Sequence, residues 1–290
     1  MTHSPREVFL RFLATGQVDP SFRDWPGSTF ADRERNGSAM LREALIAEVR
    51  RRTRDTACPA LPPAESLQRE LHSKFQPMVA GLFPRTEQAV VLSLLERSVV
   101  FLTPATIVPV LQGIPWLGTA WDLANVYLAG VGGDSLAPDE PRPVGLNVGT
   151  TCYVSPDYFT PQSRFDDYVI HEAAHIFHNC KRKTLGLPSP RRQEWLLGID
   201  YFRRETFAYA CEAYSRIREL GHDRTHRQEL LAERTLEPLP ADSRVDGQEY
   251  LDILGDALVV RNGWKRILAR CAPATVSTMT LRGGNRVSIE

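Results

Sequence analysis

Apolar residues recur at helical spacing through much of the chain. Within 39–54 they fall at Leu41, Leu45, Ile46 and Val49, which predicts an amphipathic helix there. A shorter amphipathic stretch covers 5–13, and the same periodicity predicts helices over 65–82, 87–102 and 120–129. Two runs break it, a turn-rich segment at 20–37 and a proline-rich connector at 58–63. Residues 130–143, GVGGDSLAPDEPRP, are dense in glycine, proline and aspartate and form the best candidate boundary.

Beyond that boundary the pattern changes. VGLNVGTTCYV, 144–154, reads as a strand with possible breaks at its glycines. A helix is expected from Ser163, with Asp166 three residues on as a capping box. It should run to the cations Lys181, Arg182 and Lys183, which suit the negative end of a helix dipole, and stop at Gly186. Ser189 and Pro190 can cap the next helix, which reaches Leu220 with Gly221 as its stop, although Gly198 could break it. Residues 221–246 read as a loop, 249–271 as a last helix, and 272–290 as a strand or a disordered tail. No internal repeat or low-complexity segment is present. The expected division is a helical region over 1–135 followed by a second unit over 136–290.

Bulk properties exclude several classes. Lys plus Arg and Asp plus Glu are both 35, so no net charge draws the chain to nucleic acid or to anionic lipid. The basic run EVRRRTR, 48–54, follows an apolar helical pattern and reads as a solvated helix end. In the most apolar region, 99–131, Pro104, Pro109, Pro115 and Asp122 argue against a membrane span. The five cysteines are widely spaced with no CxxC pair, so neither a disulfide framework nor a cysteine zinc site is expected. No signal peptide is read at the start, and the expectation is a reducing, cytoplasmic setting.

The chemistry concentrates in DDYVIHEAAHIFHN, 166–179. His171 and His175 are four residues apart and share one helical face, so two imidazoles can meet one ion. Glu172 is turned aside yet can reach a water on that ion. This is the H-E-x-x-H arrangement, two zinc ligands and a general base. A catalytic zinc needs a third protein ligand. The metzincin pattern requires glycine and histidine where this chain has His178 and Lys181, so that pattern fails. His178 lies on the same helical side as His175 and could stand behind the ligands or be solvent-exposed; exposure is favoured over ligation. Downstream, ETFAYACEAYSRI, 205–217, places Glu205 and Glu212 seven residues apart on a common helical face.

With its Glu205-Thr206-Phe207-Ala208 run, the segment 144–220 resembles the gluzincin metallopeptidases. The likeness is to the kind found in the Mlc titration factor and the anthrax lethal factor catalytic domain. The resemblance says nothing of 1–130. It implies a glutamate third ligand, Glu205 in preference to Glu212, on a second helix. It further implies an oxyanion-stabilising tyrosine or histidine. Tyr201, one turn before Glu205, is the candidate, with Tyr209, Tyr214, His222 and His226 as the others. Thermolysin-like members place an aspartate where this chain has Tyr209, which leaves the partner of His171 unassigned, although Glu212 could serve. The strand at 144–154 resembles the edge strand that pairs with an extended substrate in zincins. Cys152 on it is not expected to reach the metal.

The fold class expected is α+β and mainly helical, a zincin-like catalytic domain with a small sheet beside the H-E-x-x-H helix, preceded by a helical region. The expected function is a zinc metallopeptidase. Zinc would sit on His171, His175 and Glu205, with Glu172 as base and a protein or peptide as substrate, and without a nucleic-acid or membrane partner. The competing reading is a zinc-containing binding or regulatory module without peptidase activity, in which 1–130 would engage a partner. A third is an effector acting on one target protein.

Overall fold

The computed structural model describes residues 5–57, 60–137, 145–159, 163–189 and 193–273. The first half contains α1 (Pro5–Thr15), α2 (Phe30–Arg52), α3 (Ala64–Leu82), α4 (Arg85–Ser98), β1 (Val99–Phe101), α5 (Ile107–Gly113) and α6 (Leu117–Gly130). The second contains β2 (Gly145–Val148), β3 (Thr151–Val154), α7 (Tyr168–Asn179), α8 (Arg204–Leu220), α9 (Arg224–Leu236), α10 (Gly247–Val259) and α11 (Gly263–Cys271). The class is therefore α+β and mainly helical, with one small sheet.

The sheet has the order β1-β3-β2, with β1 parallel and β2 antiparallel to the central β3. Its side chains alternate between two apolar cores, as the two-residue period of a strand requires. Cys152 and Val154 of β3 face a core built from α3, α4, α7, α8, α10 and α11. Tyr153 between them, with Leu146 and Val148 of β2, faces a second core built from α1, α2, α5 and α6. The helical region expected over 1–135 thus contributes to both cores, because α3 and α4 pack with α7, α8 and α11.

α7 is held almost all round. Val169, Ile170, Ala173, Ala174, Ile176 and Phe177 are each fully buried. Burying a side chain such as Phe177 contributes about 1.5–3 kcal/mol. The start of α7 is tied to the first half of the chain. Its N-cap Asp167 accepts from the Ile170 N–H (3.3 Å), the Tyr158 hydroxyl (2.8 Å) and the Lys74 ammonium of α3 (2.7 Å). Such a buried pair resists loss of either partner, typically at a cost of about 3–5 kcal/mol.

Several element boundaries differ from the sequence expectation. α2 starts at Phe30 inside the segment read as turns, because Thr29 and Asp32 form a capping box. The run expected as one strand is a hairpin that reverses at Gly149, whose φ of +64° suits glycine; Val144 lies outside the described residues. α4 gives way to β1 at Val99, and α5 had no counterpart in the reading. Ser163 and Asp166 make their expected contact, but in a turn, and the helix begins five residues later at Tyr168. α7 ends at Asn179, before the basic residues. Lys181 bridges to Trp195 in extended backbone, and Arg182 is buried in an ion pair with Glu87 of α4.

The next helix is shorter than expected, since 193–200 is not helical and α8 starts at Arg204. α9 occupies part of the expected loop. It is polar on most sides and fully buries only Leu230, so the apolar period is faint. The expected last helix is two, α10 and α11. The chain breaks where a Cβ on Gly263 would lie 2.4 Å from the Tyr214 ring, and Asn262 caps the new helix. Of the tail, 274–290 lies outside the described residues, as do Cys58, 138–144 and Pro190. Among the described residues no helix is long and apolar enough to cross a membrane.

Candidate metal centre

α7 and α8 pack directly against each other, and small residues allow the approach: Ala173 and Ala174 on one, Ala208 and Ala210 on the other, all fully buried. Where the helices meet, three ligand atoms converge. His171 Nε2 and His175 Nε2 are 3.2 Å apart. Glu205 Oε2 lies 3.7 Å from the first and 3.5 Å from the second. A tetrahedral ion with bonds of about 2.0–2.1 Å requires ligand atoms about 3.3–3.4 Å apart. The observed triangle fits that requirement, and His171, His175 and Glu205 could hold a metal ion.

The groups behind the ligands are equally specific. Glu212, two turns along α8 from Glu205, accepts from His171 Nδ1 at 3.1 Å and from the Asp167 backbone N–H at 2.7 Å. A carboxylate can only accept, so Nδ1 carries the proton and the Nε2 lone pair is left for a metal. This assigns the partner of His171. Tyr209, at the position where an aspartate would stand in thermolysin-like proteins, packs edge-on against the His171 ring at 4.5 Å. His175 Nδ1 lies 3.4 Å from His178 Nε2. Of the two places expected for His178, exposed or behind a ligand, the structure shows the second. The last turn of α7 folds it inward, and burial with the neighbouring His175 pushes its pKa down to about 3, so it stays neutral.

The electrostatics favour a cation at the triad. Burial alone would lower the pKa of His171, but Glu205 and Glu212 outweigh it and raise it to about 10. The carboxylates that favour a proton there equally favour a divalent ion. Burial would raise Glu205, yet hydrogen bonding to the two histidines holds it well below the usual carboxylate range. Burial raises Glu172, with the histidines opposing in part. Glu172 is buried beneath β2, and a Cβ on Gly145 would lie 3.4 Å from its Cγ. Asn147 of β2 donates to the Glu172 carbonyl at 3.2 Å and so fastens the strand to α7. Cys152 is fully buried, and burial raises its thiol well above the ordinary value, so it is a core residue.

A cleft of about 730 Å³ opens over the triad. One side is β2, which forms an edge of the sheet, and the other is the start of α8 with the turn before it. His171, Glu172, His175 and Glu205 all line it. Tyr201 lines its mouth and is 71% exposed, while Tyr209 sits deeper against His171. The other oxyanion candidates lie elsewhere. Tyr214 packs in the core against Trp264, and His222 and His226 are not among the lining residues.

Among the lining residues that escaped the sequence reading, Arg244 touches the triad directly. Arg244 Nη1 reaches Glu205 Oε1 at 3.0 Å, while its Nε is held by Asp242 at 2.9 Å. It comes from the polar segment between α9 and α10, where no periodicity or motif marks it. The chain matches no known protein family, no curated protein and no solved structure.

Proposed function

We propose that the protein is a zinc metallopeptidase. The observation that carries the reading is the triangle of His171 Nε2, His175 Nε2 and Glu205 Oε2, separated by 3.2–3.7 Å, with Glu172 lining the same cleft. Two imidazoles and one carboxylate are a donor set suited to catalytic zinc. Zinc bound there supplies a Lewis acid that polarises a peptide carbonyl and makes water a better nucleophile.

The chain's own groups then have distinct tasks. Glu172 takes the proton from the attacking water and passes it to the departing amine, and burial has raised its affinity for that proton. Glu212 keeps the His171 ring in one tautomer and one orientation. The outer edge of β2 pairs with an extended peptide through main-chain hydrogen bonds. Tyr201, at the mouth, is the proposed donor to the developing oxyanion. Tyr209 is its competitor, because it lies against a ligand and burial holds its phenol protonated, with a pKa of about 12. The substrate class is protein or peptide. Four described cysteines are free and buried, which suits the cytoplasm.

The test is to load wild type and Glu172→Gln with zinc and expose both to a peptide library. Gln keeps the size of Glu but cannot act as a base. Both forms should hold one zinc, and the variant should cut about a hundred- to ten-thousand-fold more slowly. Equal rates would remove Glu172 from the mechanism. Zinc in both forms with no new peptide termini from either would favour the binding or regulatory module instead.

A further inference from the structure

The two walls of the cleft differ in charge. The β2 wall offers Gly145, Leu146 and Asn147, none of them ionisable. Among the described residues the only carboxylates lining the cleft are Glu172 and Glu205, both given a part in the proposed metal chemistry. The opposite side carries two arginines, Arg204 at the start of α8 and Arg244 from the segment between α9 and α10. Arg204 stacks its guanidinium over the Tyr201 ring at 5.0 Å. Arg244 stands out further, with a side chain 65% exposed although it touches a metal-binding carboxylate.

Arg244 is held like a fixed reader. Asp242 grips its Nε through both carboxylate oxygens, at 2.9 and 3.2 Å, and also takes Nη2. Asp242 accepts in addition from the Arg244 backbone N–H at 2.8 Å, so the turn and the side chain are set together. Nη1 points to Glu205 Oε1. A guanidinium has five N–H donors, more than these two partners use, and its planar fork suits a carboxylate. Asp242 and Glu205 take up Nε and one N–H on each terminal nitrogen, so two donors of an exposed side chain that lines the cleft are left for an incoming acceptor.

We infer that Arg244 determines substrate specificity by binding a carboxylate of the substrate beside the metal. This rests on the peptidase reading and names its substrate class, a peptide with an acidic group near the scissile bond. The carboxylate can come from an acidic side chain or from the peptide C-terminus. Tyr201 and Phe202, 71% and 80% exposed at the mouth, offer apolar contact to a neighbouring substrate residue.

The test uses three probes, each with an N-terminal hydroxamate that ligates zinc, so that binding needs no turnover. They continue as Phe-Gln amide, Phe-Glu amide and Phe-Gln with a free C-terminus. Calorimetry on the zinc-loaded full chain should show at least one acidic probe binding about tenfold or more tighter than the neutral one, as charge-assisted pairing allows. Which acidic probe wins identifies the source of the carboxylate. In Arg244→Gln, reconstituted with zinc, the ratio should fall to about one. Arg244→Lys keeps the charge without the fork and should show a reduced ratio, which also covers the case in which Arg244→Gln does not fold.

Equal affinity for all three probes in zinc-loaded wild type overturns the inference and leaves the peptidase reading intact. So does a ratio that survives in both variants. Failure to load zinc overturns both proposals. A carboxylate preference in a protein that cuts no peptide supports Arg244 and removes the peptidase.

Discussion

The chain contains two histidine pairs with the same spacing and an acidic residue in the same place, His171-Glu-Ala-Ala-His175 and His222-Asp-Arg-Thr-His226. Among the described residues only the first, together with Glu205, forms a group that could hold a metal ion. In the second, the imidazoles turn to each other, with Nδ1 atoms 2.7 Å apart, His222 exposed and His226 half-buried. Asp223 is engaged as the N-cap of α9, accepting from the His226 N–H at 2.8 Å. The first pair sits in mid-helix, and a second helix brings Glu205 to the front of its rings and Glu212 to the back. Spacing along one helix puts two nitrogens on a face. A neighbouring helix, buried and closely packed, makes that face a site.

The largest difference between the pairs should be in metal content. Wild type should carry one tightly bound zinc per chain, His171→Ala none, and His222→Ala one, as read by elemental analysis after dialysis. Zinc retained in His171→Ala and lost in His222→Ala would invert the assignment. The same measurement separates the two glutamates. Glu205→Ala removes a ligand and should empty the site. Glu212→Ala removes only the group that orients His171, and such losses typically weaken metal binding about 10- to 100-fold. A metal competition assay would show this. A Glu212 variant that loses zinc more completely than the Glu205 variant would exchange their roles.

The contrast also shows what could be read from the sequence. His171, Glu172 and His175 were legible because a four-residue spacing and a general base between ligands are local features. Glu205 was legible only through the run that follows it. Glu212 as the partner of His171 was visible as a possibility, since seven residues place it on the same face as Glu205. The exposure favoured for His178 failed because its burial depends on residues such as Arg204, which come beside α7 only through the tertiary fold. Arg244 was invisible, since its place depends on how a polar segment between α9 and α10 returns over the cleft. The mainly helical class followed from apolar periodicity. The boundaries failed where capping chemistry or a close approach decides them, at Thr29, Gly149 and Gly263. The role of α3 in anchoring α7 through Lys74 rests on a contact between residues 93 apart and had no local trace.

The smallest expected effect concerns the second pair, and it tests whether Asp223 is a cap and nothing more. Hydrogen bonding from the His226 backbone N–H, with the nearby histidines assisting, holds the Asp223 carboxyl below its ordinary value of 3.8. A carboxylate whose folded-state pKa is depressed adds stability above its unfolded-state pKa, and that stability is lost as pH falls through the folded-state pKa. Asn caps a helix about as well as Asp but does not titrate. Wild type and Asp223→Asn should therefore differ in thermal midpoint by an amount that is steady above about pH 5 and moves against wild type as the solution is made more acid. Zinc content should be the same in both at neutral pH, because Asp223 is partnered by His222, Thr225 and His226, none of them on α7 or α8. A difference in midpoint that does not change with pH would remove the ionised cap. Loss of zinc from Asp223→Asn would mean that the surface pair and the buried one are coupled, and the contrast between them would fail.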